Sequence, residues 1–466
     1  MAMPTSTHTE SRFQADSKAP TLRKILIVTD NKKAVEPLAE QLQGHKFEVE
    51  LAFYNGKTLS NTPTQSPCAI IFDLNNYEEK STDIARVLKS HYARSCPPLI
   101  AVLSKTNTLR RSVFDSLIIK PAHVSQIANR VTAYLRLSAM EREITLRKAT
   151  LEHDFGKTVS IYDDGQYPSF KVLFIGKANP SFMVIMNALQ KKNVEVIAAF
   201  TSFSAFDYLH DGSFDAVVMN TIEEPEPAIS IAETMRRNSR LYHVPTLFIT
   251  KNNEFEYIEK VHKKGASDII DIQSDPEEIS GRILELANYH RLQENLKEEF
   301  QNLGDETTLV PSNKCYNKAF MDQHSQRVVH TNKHSAQPLT FLAVKLLPHC
   351  KSQADNQKIY AAISDIGKIL KNLVRMQDTV SFYDHDVYLL MLPNTSTFDA
   401  KVIVDRFNAL INCTAFDSGN SQSPLTMTMD YSVITVSKDG NASGTISRCL
   451  SELEHPTSNV SFRNSA

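Results

Sequence analysis

Arginine and aspartate stand three residues apart at Arg375 and Asp378. An arginine fork can donate two hydrogen bonds to the O6/N7 edge of guanine or pair with a phosphate, and a carboxylate can accept from the N1 and N2 donors of guanine. An Arg-x-x-Asp motif is short, however, and its ordinary role is an i, i+3 ion pair near a helix end. Its meaning therefore depends on the elements around it.

The residues after this motif predict a β-hairpin. Residues 379–393 read Thr-Val-Ser-Phe-Tyr-Asp-His-Asp-Val-Tyr-Leu-Leu-Met-Leu-Pro, and their alternation predicts a hairpin closed at Asp384 and His385. Residues 384–388 stand where the GGDEF domain, the module that joins two GTP molecules into cyclic di-GMP, carries Gly-Gly-Asp-Glu-Phe. The next five residues resemble the strand and proline that follow that signature.

The same resemblance gives the Arg-x-x-Asp pair a role. Five residues separate Asp378 from Asp384, as in the product-binding site of GGDEF domains, and Arg406 stands where those proteins have a third ligand contact. The resemblance therefore implies that Arg375, Asp378 and Arg406 bind cyclic di-GMP.

The residues that catalysis requires are mostly replaced. Lys345, or Val344 if the register slips by one, stands where a cyclase supplies a metal-binding aspartate, and Val387 replaces the second metal ligand. Asp384 and His385 put side chains where two glycines let backbone amides approach the substrate phosphates. Phosphoryl transfer depends on positioning and on neutralisation of charge by metal ions. We therefore expect a degenerate GGDEF domain of the α+β class that is not an enzyme.

The N-terminal part shows short apolar runs separated by segments of helical length, which predict a doubly wound, five-stranded parallel α/β sheet. The runs are Ile25 to Val28, Val49 to Phe53, Ala69 to Leu74, Leu99 to Leu103 and Leu117 to Ile119. Ligand chemistry in such sheets lies at the carboxyl ends of the strands. Those ends carry Asp30, Asp73, Ser104 and Lys120.

This set resembles the receiver (CheY-like) domain, in which an aspartate takes a phosphoryl group from a histidine kinase. The resemblance implies that Asp73 is the phospho-acceptor, that Asp30 and Asp73 hold Mg²⁺, and that Ser104 and Lys120 form the switch pair. Thr29 departs from the family, which normally has a second acid there. The alternative is that each polar residue merely caps a strand end.

A second five-stranded pattern follows, with runs at Lys171 to Gly176, Val194 to Phe200, Ala216 to Asn220, Thr246 to Thr250 and Ile269 to Ile272. Here Gly176 and Lys177 replace the acidic pair, Asn220 replaces the acceptor, and Ile272 replaces the lysine. Asparagine cannot act as a carboxylate nucleophile, so this copy is interpreted as an adaptor. Arg236, Arg237 and Arg240 are candidates to complete a nucleotide site on the third domain.

The order of these patterns resembles response regulators of the PleD type, and in character most closely the degenerate PopA type. Two amphipathic stretches, roughly Tyr134 to His153 and Tyr289 to Leu303, predict helices between the domains. The second could pair with its copy in a dimer or lie on its own domain. The predicted organisation is a disordered tail (1–20), a receiver (21–140), a helical linker (141–168), a degenerate receiver (169–290), a helical stalk (291–304) and a degenerate GGDEF domain (305–466).

Composition sets limits on partners. The 51 basic and 53 acidic residues nearly balance, so no nucleic-acid-binding field is implied. The six cysteines show no CxxC pairing and are interpreted as reduced thiols. No run reaches the roughly 18 apolar residues of a membrane span, so we expect a cytoplasmic protein without membrane insertion.

Two functions from different classes remain. In the first, the chain is a bacterial effector of cyclic di-GMP, possessing a phosphorylatable receiver and recruiting a protein partner through its third domain, as a homodimer. The resemblance implies a histidine kinase or phosphotransferase upstream, and a role at a cell pole in the cell cycle. In the second, the chain is a scaffold controlled by phosphorylation at Asp73 that binds no nucleotide. A residual cyclase is the third and least favoured function.

Overall fold

A computed structural model describes residues 23–92, 96–104, 113–120, 122–157, 168–251, 254–333, 337–349, 356–418, 424–437 and 439–454. The predicted tail, residues 1–20, lies outside these ranges. The chain divides into two compact units. Of the described residues, the double-sheet unit contains those within 23–141 and 168–299, and the single-sheet unit contains those within 142–157 and 300–454.

The first sheet of the double-sheet unit has parallel strands in the order 2-1-3-4-5 of doubly wound folds, as predicted. Its strands are β1 Arg23–Thr29, β2 Phe47–Tyr54, β3 Leu59–Ser60, β4 Ala69–Asp73, β5 Leu99–Leu103 and β6 Ser116–Ile119, and its helices are α1 Lys32–Gly44, α2 Ser81–His91 and α3 Val124–Phe155. The count of five strands was too low, because the two-residue β3 pairs antiparallel with β2 at the sheet edge. Between β2 and β4 this short hairpin replaces a predicted helix.

Both faces of this sheet are covered, which explains the continuous apolar runs. Leu26 and Val28 of β1 belong to one hydrophobic cluster, whereas Ile25 and Ile27 belong to another. Successive side chains of a strand point to opposite faces, so the two clusters lie on opposite sides of the sheet. The carboxyl ends of β1, β4, β5 and β6 consequently meet at one edge.

The second sheet repeats the order 2-1-3-4-5 with five parallel strands, as predicted. Its strands are β7 Lys171–Ile175, β8 Glu195–Ala199, β9 Ala216–Asn220, β10 Thr246–Thr250 and β11 Asp268–Asp271, and its helices are α4 Pro180–Gln190, α5 Ser202–Asp211, α6 Pro225–Arg237, α7 Phe255–Lys263 and α8 Pro276–Asn302. Polar caps begin several of these helices. The Asn179 side chain, for example, accepts from the Phe182 amide at 2.8 Å.

A buried ion-pair cluster lies between the two sheets of this unit. The carboxylate of Asp268, at the start of β11, is fully buried and accepts from Arg282 at 2.7 Å and from Arg130 of α3 at 3.3 Å. Two guanidinium groups thus compensate one desolvated carboxylate, and their charges hold the pKa of Asp268 below its usual range although burial acts in the opposite direction. Such a cluster fixes how the first and second sheets pack within the unit.

The two long helices begin earlier than the sequence predicted. The stretch expected from Tyr134 belongs to α3, which starts at Val124, and the stretch expected from Tyr289 belongs to α8, which starts at Pro276. Each predicted connector is therefore the continuation of a helix that packs on a sheet. Neither helix, nor any other in the described part of the chain, is long and apolar enough to cross a membrane.

The single-sheet unit is built on a mixed sheet in the order β12-β14-β15-β13-β17-β16. Its strands are β12 Tyr316–Asn317, β13 Leu339–Pro348, β14 Thr379–Asp384, β15 Val387–Pro393, β16 Ala415–Phe416 and β17 Leu425–Thr435, and its helices are α9 Lys318–Asn332, α10 Asn356–Leu373, α11 Thr397–Asn412 and α12 Ala442–Glu454. Only β12 with β14 pairs in parallel. Helices packed on a mainly antiparallel sheet agree with the predicted α+β class.

The predicted hairpin is formed by β14 and β15, with its turn one residue later than expected. An irregularity after Phe382 lets β14 continue to Asp384, which pairs with Val387, so His385 and Asp386 make the turn. Tyr388 of β15 is fully buried, and its hydroxyl donates to the Ile363 carbonyl of α10 at 2.9 Å. The hairpin is thus anchored on that helix.

Glycine is required where α10 passes this hydroxyl. A Cβ added at Gly367 would overlap the hydroxyl oxygen of Tyr388. Alanine normally stabilises a helix interior relative to glycine by about 1 kcal/mol. At this position we expect Gly367→Ala instead to lower the free energy of unfolding by about 1–3 kcal/mol, because the side chains must move apart in a packed core.

Chemical denaturation of both variants would check this expectation, with Gly44→Ala as control. Gly44 also lies in a helix, and an added Cβ there meets nothing within 4 Å. Equal effects of the two substitutions would contradict the packing argument.

Candidate functional site

The structure brings together polar residues from three strand ends of the first sheet. Lys120, after β6, donates from Nζ to Asp73 Oδ1 at 2.5 Å and to Asn75 Oδ1 at 2.6 Å. Asp73 ends β4 and is only 7% exposed, so its charge has little solvent around it. A buried carboxylate paired with one lysine is the arrangement that aspartyl phosphorylation would use.

The neighbouring carboxylate is already engaged by the protein. Asp30, which follows β1, accepts from the backbone amides of Asn75 at 3.0 Å and Asn76 at 2.6 Å, one with each oxygen. Thr29 supplies a hydroxyl where a further acid would be needed. Among the described residues no group of three or more His, Cys, Asp and Glu side chains is placed to hold a metal ion. Two carboxylates, Asp73 and Asp30, do lie at this edge, and the role of Asp30 and Asp73 in holding Mg²⁺ stays a prediction.

The predicted switch residue Ser104 lies at the same edge but makes a different contact. Its side chain is exposed, and its backbone amide donates to Glu78 Oε1 at 2.8 Å. Glu78 belongs to a single 3-10 turn before α2. This contact could not be predicted from the sequence, because 26 positions separate the two residues.

The corresponding edge of the second sheet is closed by its own side chains. Asn220 Nδ2 donates to the Lys177 carbonyl at 3.0 Å, and Lys177 Nζ donates to Glu224 Oε1 at 2.6 Å. Gly176 has φ of +128°, and an added Cβ would lie 2.9 Å from Cβ of Asn220. A cavity of about 150 Å³ remains beside these residues. Asn220 presents an amide at this edge, and the interpretation of this sheet as an adaptor stays a prediction.

Lys345 and Val387, the two positions that the sequence analysis compared with metal ligands, face one another on neighbouring strands. Lys345 of β13 pairs with Val387 of β15, and the carbonyl of Asp386 accepts from the Leu346 amide at 2.8 Å. Val387 is 9% exposed and packs in a hydrophobic cluster. The Asp384 carboxylate accepts from the His385 amide at 2.8 Å and stays exposed in the turn. Lys345 and Val387 thus present a cation and an apolar side chain on adjacent strands.

The Arg-x-x-Asp motif forms a closed turn between α10 and β14. Asp378 Oδ2 accepts from the Arg375 amide at 2.9 Å, and the Asp378 amide donates to the Arg375 carbonyl at 3.0 Å. The Asp378 side chain is buried, with 5% exposure, and its Oδ1 atom has no donor among the described residues. The side chain thus turns inward and holds the turn, and the binding of Asp378 to a guanine edge stays a prediction.

Arg375 and Arg406 remain available at the surface around the end of α10. Both side chains are exposed, and Arg406 Nη1 of α11 donates to the Leu373 carbonyl at 3.3 Å. That carbonyl lies two residues before Arg375. The structure therefore brings the two predicted arginines to the same end of one helix, with Asp378 buried behind them.

The second half of α3, within the single-sheet unit, supplies a network that the sequence reasoning missed. Arg147 Nη2 donates to the carbonyl of Asp378 and to Thr379 Oγ1, both at 3.0 Å. Its Nε donates to Glu143 Oε1 at 2.7 Å, and the same oxygen lies 2.9 Å from His324 Nε2 of α9. A Glu-x-x-x-Arg pair beside the apolar stripe of this helix is the signal that could have indicated a buried contact.

The charges of this network are mutually compensated. Burial alone would raise the pKa of Glu143, but the charges and hydrogen bonds of His324 and Arg147 outweigh it and lower the pKa to about 2. By contrast, burial raises the pKa of Asp378 to about 7, against the opposing charge and amide of Arg375. Glu143 is thus a satisfied buried anion, whereas Asp378 is not.

The three arginines proposed from the second sheet differ in availability. Arg236 is committed to structure, since it donates to the carbonyls of Gly265 at 2.8 Å and Val244 at 2.9 Å. Arg240 donates to the carbonyls of Leu209 and His210. Arg237 is 78% exposed and pairs with Glu233 on its own helix. Arg236 is therefore wrong as a ligand-binding candidate, because its guanidinium is used up by backbone acceptors.

No protein-family model and no curated protein sequence matches this chain. It is similar to solved structures, among them the coiled coil and GGDEF domain of DgcB from Caulobacter crescentus in complex with c-di-GMP, with 12% identity, TM-score 0.30, and coverage of 38% of this chain and 93% of that chain. The FimX GGDEF domain from Pseudomonas aeruginosa has 12% identity, TM-score 0.26 and coverage of 33% and 96%. A response regulator from Thermotoga maritima has 20% identity, TM-score 0.24 and coverage of 26% and 98%. Resemblances this distant do not assign a function.

The raised pKa of Asp378 gives a pH dependence with a defined sign. Because the folded state binds this proton more tightly than the unfolded chain, stability falls as pH rises from about 4, the unfolded pKa, to about 7. Asp378→Asn keeps the acceptor for the Arg375 amide but cannot ionise. We expect it to be more stable than the wild type at pH 8, by on the order of 2 kcal/mol, with a difference that vanishes near pH 4.

Denaturant unfolding across this pH range measures the difference. Asp384→Asn is the matched control, since that carboxylate, at the end of β14, is 68% exposed. If the difference in free energy of unfolding between wild type and Asp378→Asn is the same at every pH from 4 to 8, Asp378 is not buried as an anion.

Proposed function

We propose that this chain is a cyclic di-GMP effector with the organisation of a response regulator of the PleD and PopA type. In this proposal the first two sheets are receiver domains, and the single-sheet unit is a GGDEF domain without cyclase activity. The nucleotide binds around Arg375, Asp378 and Arg406. The bound protein, a homodimer in the bacterial cytoplasm at a cell pole, recruits a protein partner in cell-cycle control.

The observation that carries the proposal is the convergence of two exposed arginines at the end of α10. Arg375 and Arg406 come from different elements, and Arg406 donates to the carbonyl of Leu373 beside the turn. Two guanidinium groups at one helix end suit a ligand with two phosphates and two guanine edges. A lone Arg-x-x-Asp ion pair would not need the second arginine.

The absence of catalysis is proposed on the chemistry of the catalytic positions. Lys345 would repel a metal ion, and Val387 has no ligand atom. At the tip of the hairpin, Asp384 would place an exposed carboxylate and His385 an imidazole ring where a triphosphate would lie. Because metal neutralisation supplies much of the catalysis in phosphoryl transfer, this combination supports binding of a product rather than its synthesis.

Calorimetric titration of the full chain with cyclic di-GMP tests the proposal. We expect saturable binding, and we expect Arg375→Ala and Arg406→Ala each to weaken it at least about tenfold, because each removes a charge-assisted hydrogen bond. Arg448→Ala should leave the affinity unchanged, since this exposed arginine lies on α12 of the same unit. No heat of binding with a folded wild type would overturn the proposal. Synthesis of cyclic di-GMP from GTP would overturn its non-enzymatic part.

A second candidate function is a scaffold controlled by phosphorylation alone. The observation that favours it is the Asp73–Lys120 pair, with 2.5 Å between Oδ1 and Nζ at the edge of the first sheet. Such a pair would place a lysine beside a phosphoryl group on Asp73. Phosphorylation by a histidine kinase or phosphotransferase would then change the assembly without any nucleotide.

Incubation with acetyl phosphate and Mg²⁺, followed by intact-protein mass spectrometry, tests this second candidate. We expect a phosphorylated fraction smaller than that of an ordinary receiver, because Asp30 is held by two backbone amides and Thr29 is not an acid. Asp73→Asn should abolish the modification, and Asp83→Asn, an exposed acid on α2, should not. Modification that persists in Asp73→Asn would remove Asp73 as the acceptor.

A further inference from the structure

The turn that carries the proposed nucleotide site is held shut by a residue distant in the chain. Arg147 Nη2 reaches the carbonyls of Met376 at 3.4 Å and Asp378 at 3.0 Å, which are the middle and the end of the Arg-x-x-Asp turn. It also donates to Thr379 Oγ1 at 3.0 Å. One guanidinium therefore binds three successive parts of this segment.

Arg147 is itself fixed by buried partners. Its side chain is 5% exposed, and its Nε donates to Glu143 one helical turn away. The guanidinium also lies over the rings of Phe300, at 4.9 Å, and Tyr316, at 5.3 Å. The Glu143 oxygen in turn accepts from Thr379 at 3.1 Å. These contacts fix the guanidinium of Arg147 over the turn.

The consequence falls on Asp378. Its carboxylate is turned inward and buried, and one oxygen accepts the Arg375 amide while the other has no donor within the described part of the chain. An unpaired buried carboxylate oxygen costs free energy, and the N1 and N2 donors of a guanine would satisfy it. Arg147 holds the turn in which this carboxylate faces inward, through the Asp378 carbonyl.

We propose that residues 142–155 of α3 are an autoinhibitory latch, which closes the Arg375–Asp378 turn through Arg147 and must be released before the nucleotide binds Asp378. This inference rests on the proposed function and adds its regulation. The structure corresponds to the closed state. Ligand binding and release of the latch are then reciprocal, so each must favour the other.

The nature of the contact suits a switch. A buried ion pair specifies one arrangement while contributing little net stability compared with apolar packing. A second ion pair, between Arg327 of α9 and Asp154 at 2.8 Å, holds the end of the same helical segment without touching the turn. The segment is therefore held at Arg147, which contacts the turn, and at Asp154, which does not.

Affinity measurements on the full chain distinguish the latch from a simple positioning role of Arg147. Substitution of Arg147 should raise the affinity for cyclic di-GMP if the segment is a latch and lower it if Arg147 only positions the turn. We expect Arg147→Met to bind cyclic di-GMP about tenfold more tightly than the wild type, because the cost of opening is removed. Arg327→Met should act in the same direction with a smaller effect, since it loosens the segment at a distance. Arg448→Met, an exposed arginine outside the network, should leave the affinity unchanged. Arg147→Lys, which keeps the buried charge but loses the fork, serves if Arg147→Met does not fold.

Hydrogen–deuterium exchange supplies the second readout. Saturating cyclic di-GMP should speed exchange of the amides of residues 142–155 in the wild type. If the nucleotide binds but Arg147→Met and Arg147→Lys bind equally or less tightly, or if the ligand slows exchange in this segment, the latch is overturned and the proposed function stands. If no folded variant binds the nucleotide, the proposed function is overturned, and the latch with it.

Discussion

The single-sheet unit depends on the burial of Arg147 and Glu143 against the segment that joins α10 to β14. A desolvated guanidinium is tolerated only when its donors are satisfied, and here they find Glu143, Thr379 and two turn carbonyls. Because a buried charge must be matched at several points at once, the helical segment and the turn can pack in only one register. The inward position of Asp378 follows from this register, since the carbonyl beside it is an acceptor that Arg147 requires.

The parallel sheets were predictable because their information is local. Each run of β-branched and aliphatic residues indicated a strand buried on both faces, and the observed order places Asp30, Asp73 and Lys120 at one edge, although 47 positions separate the last two. The pattern did not predict that Asp30 accepts hydrogen bonds from backbone amides. That engagement depends on the path of the chain after Asp73, which residue types alone do not encode. The β3 hairpin was missed for a similar reason, because two residues show no periodicity.

The turn at Arg375 shows where reasoning from a motif fails. The family resemblance named Arg375 and Arg406 together, and Arg406 does contact the Leu373 carbonyl two residues before Arg375. The orientation of Asp378 was not predictable, because Arg147 lies 231 positions away in sequence from the carbonyl it binds. The residue type alone does not distinguish an exposed aspartate from a buried one. Only the packing partner distinguishes a carboxylate that can accept from a ligand from one that closes its own turn.

The β14–β15 hairpin and the Arg375–Asp378 turn are held by different contacts in this unit, and α10 takes part in both. Tyr388, at the last position of the signature, is buried, and its hydroxyl accepts from Asn313 Nδ2 at 3.0 Å and donates to Ile363 of α10. The hairpin is therefore fixed by packing against the middle of this helix, with no contribution from a metal or a substrate. The carboxyl end of the same helix presents Leu373 to Arg406 and leads into the turn. Substitutions at the hairpin tip, which is solvent-exposed at His385, leave these contacts unchanged. Residues at the hairpin tip can thus differ without moving the end of α10 at which both arginines lie.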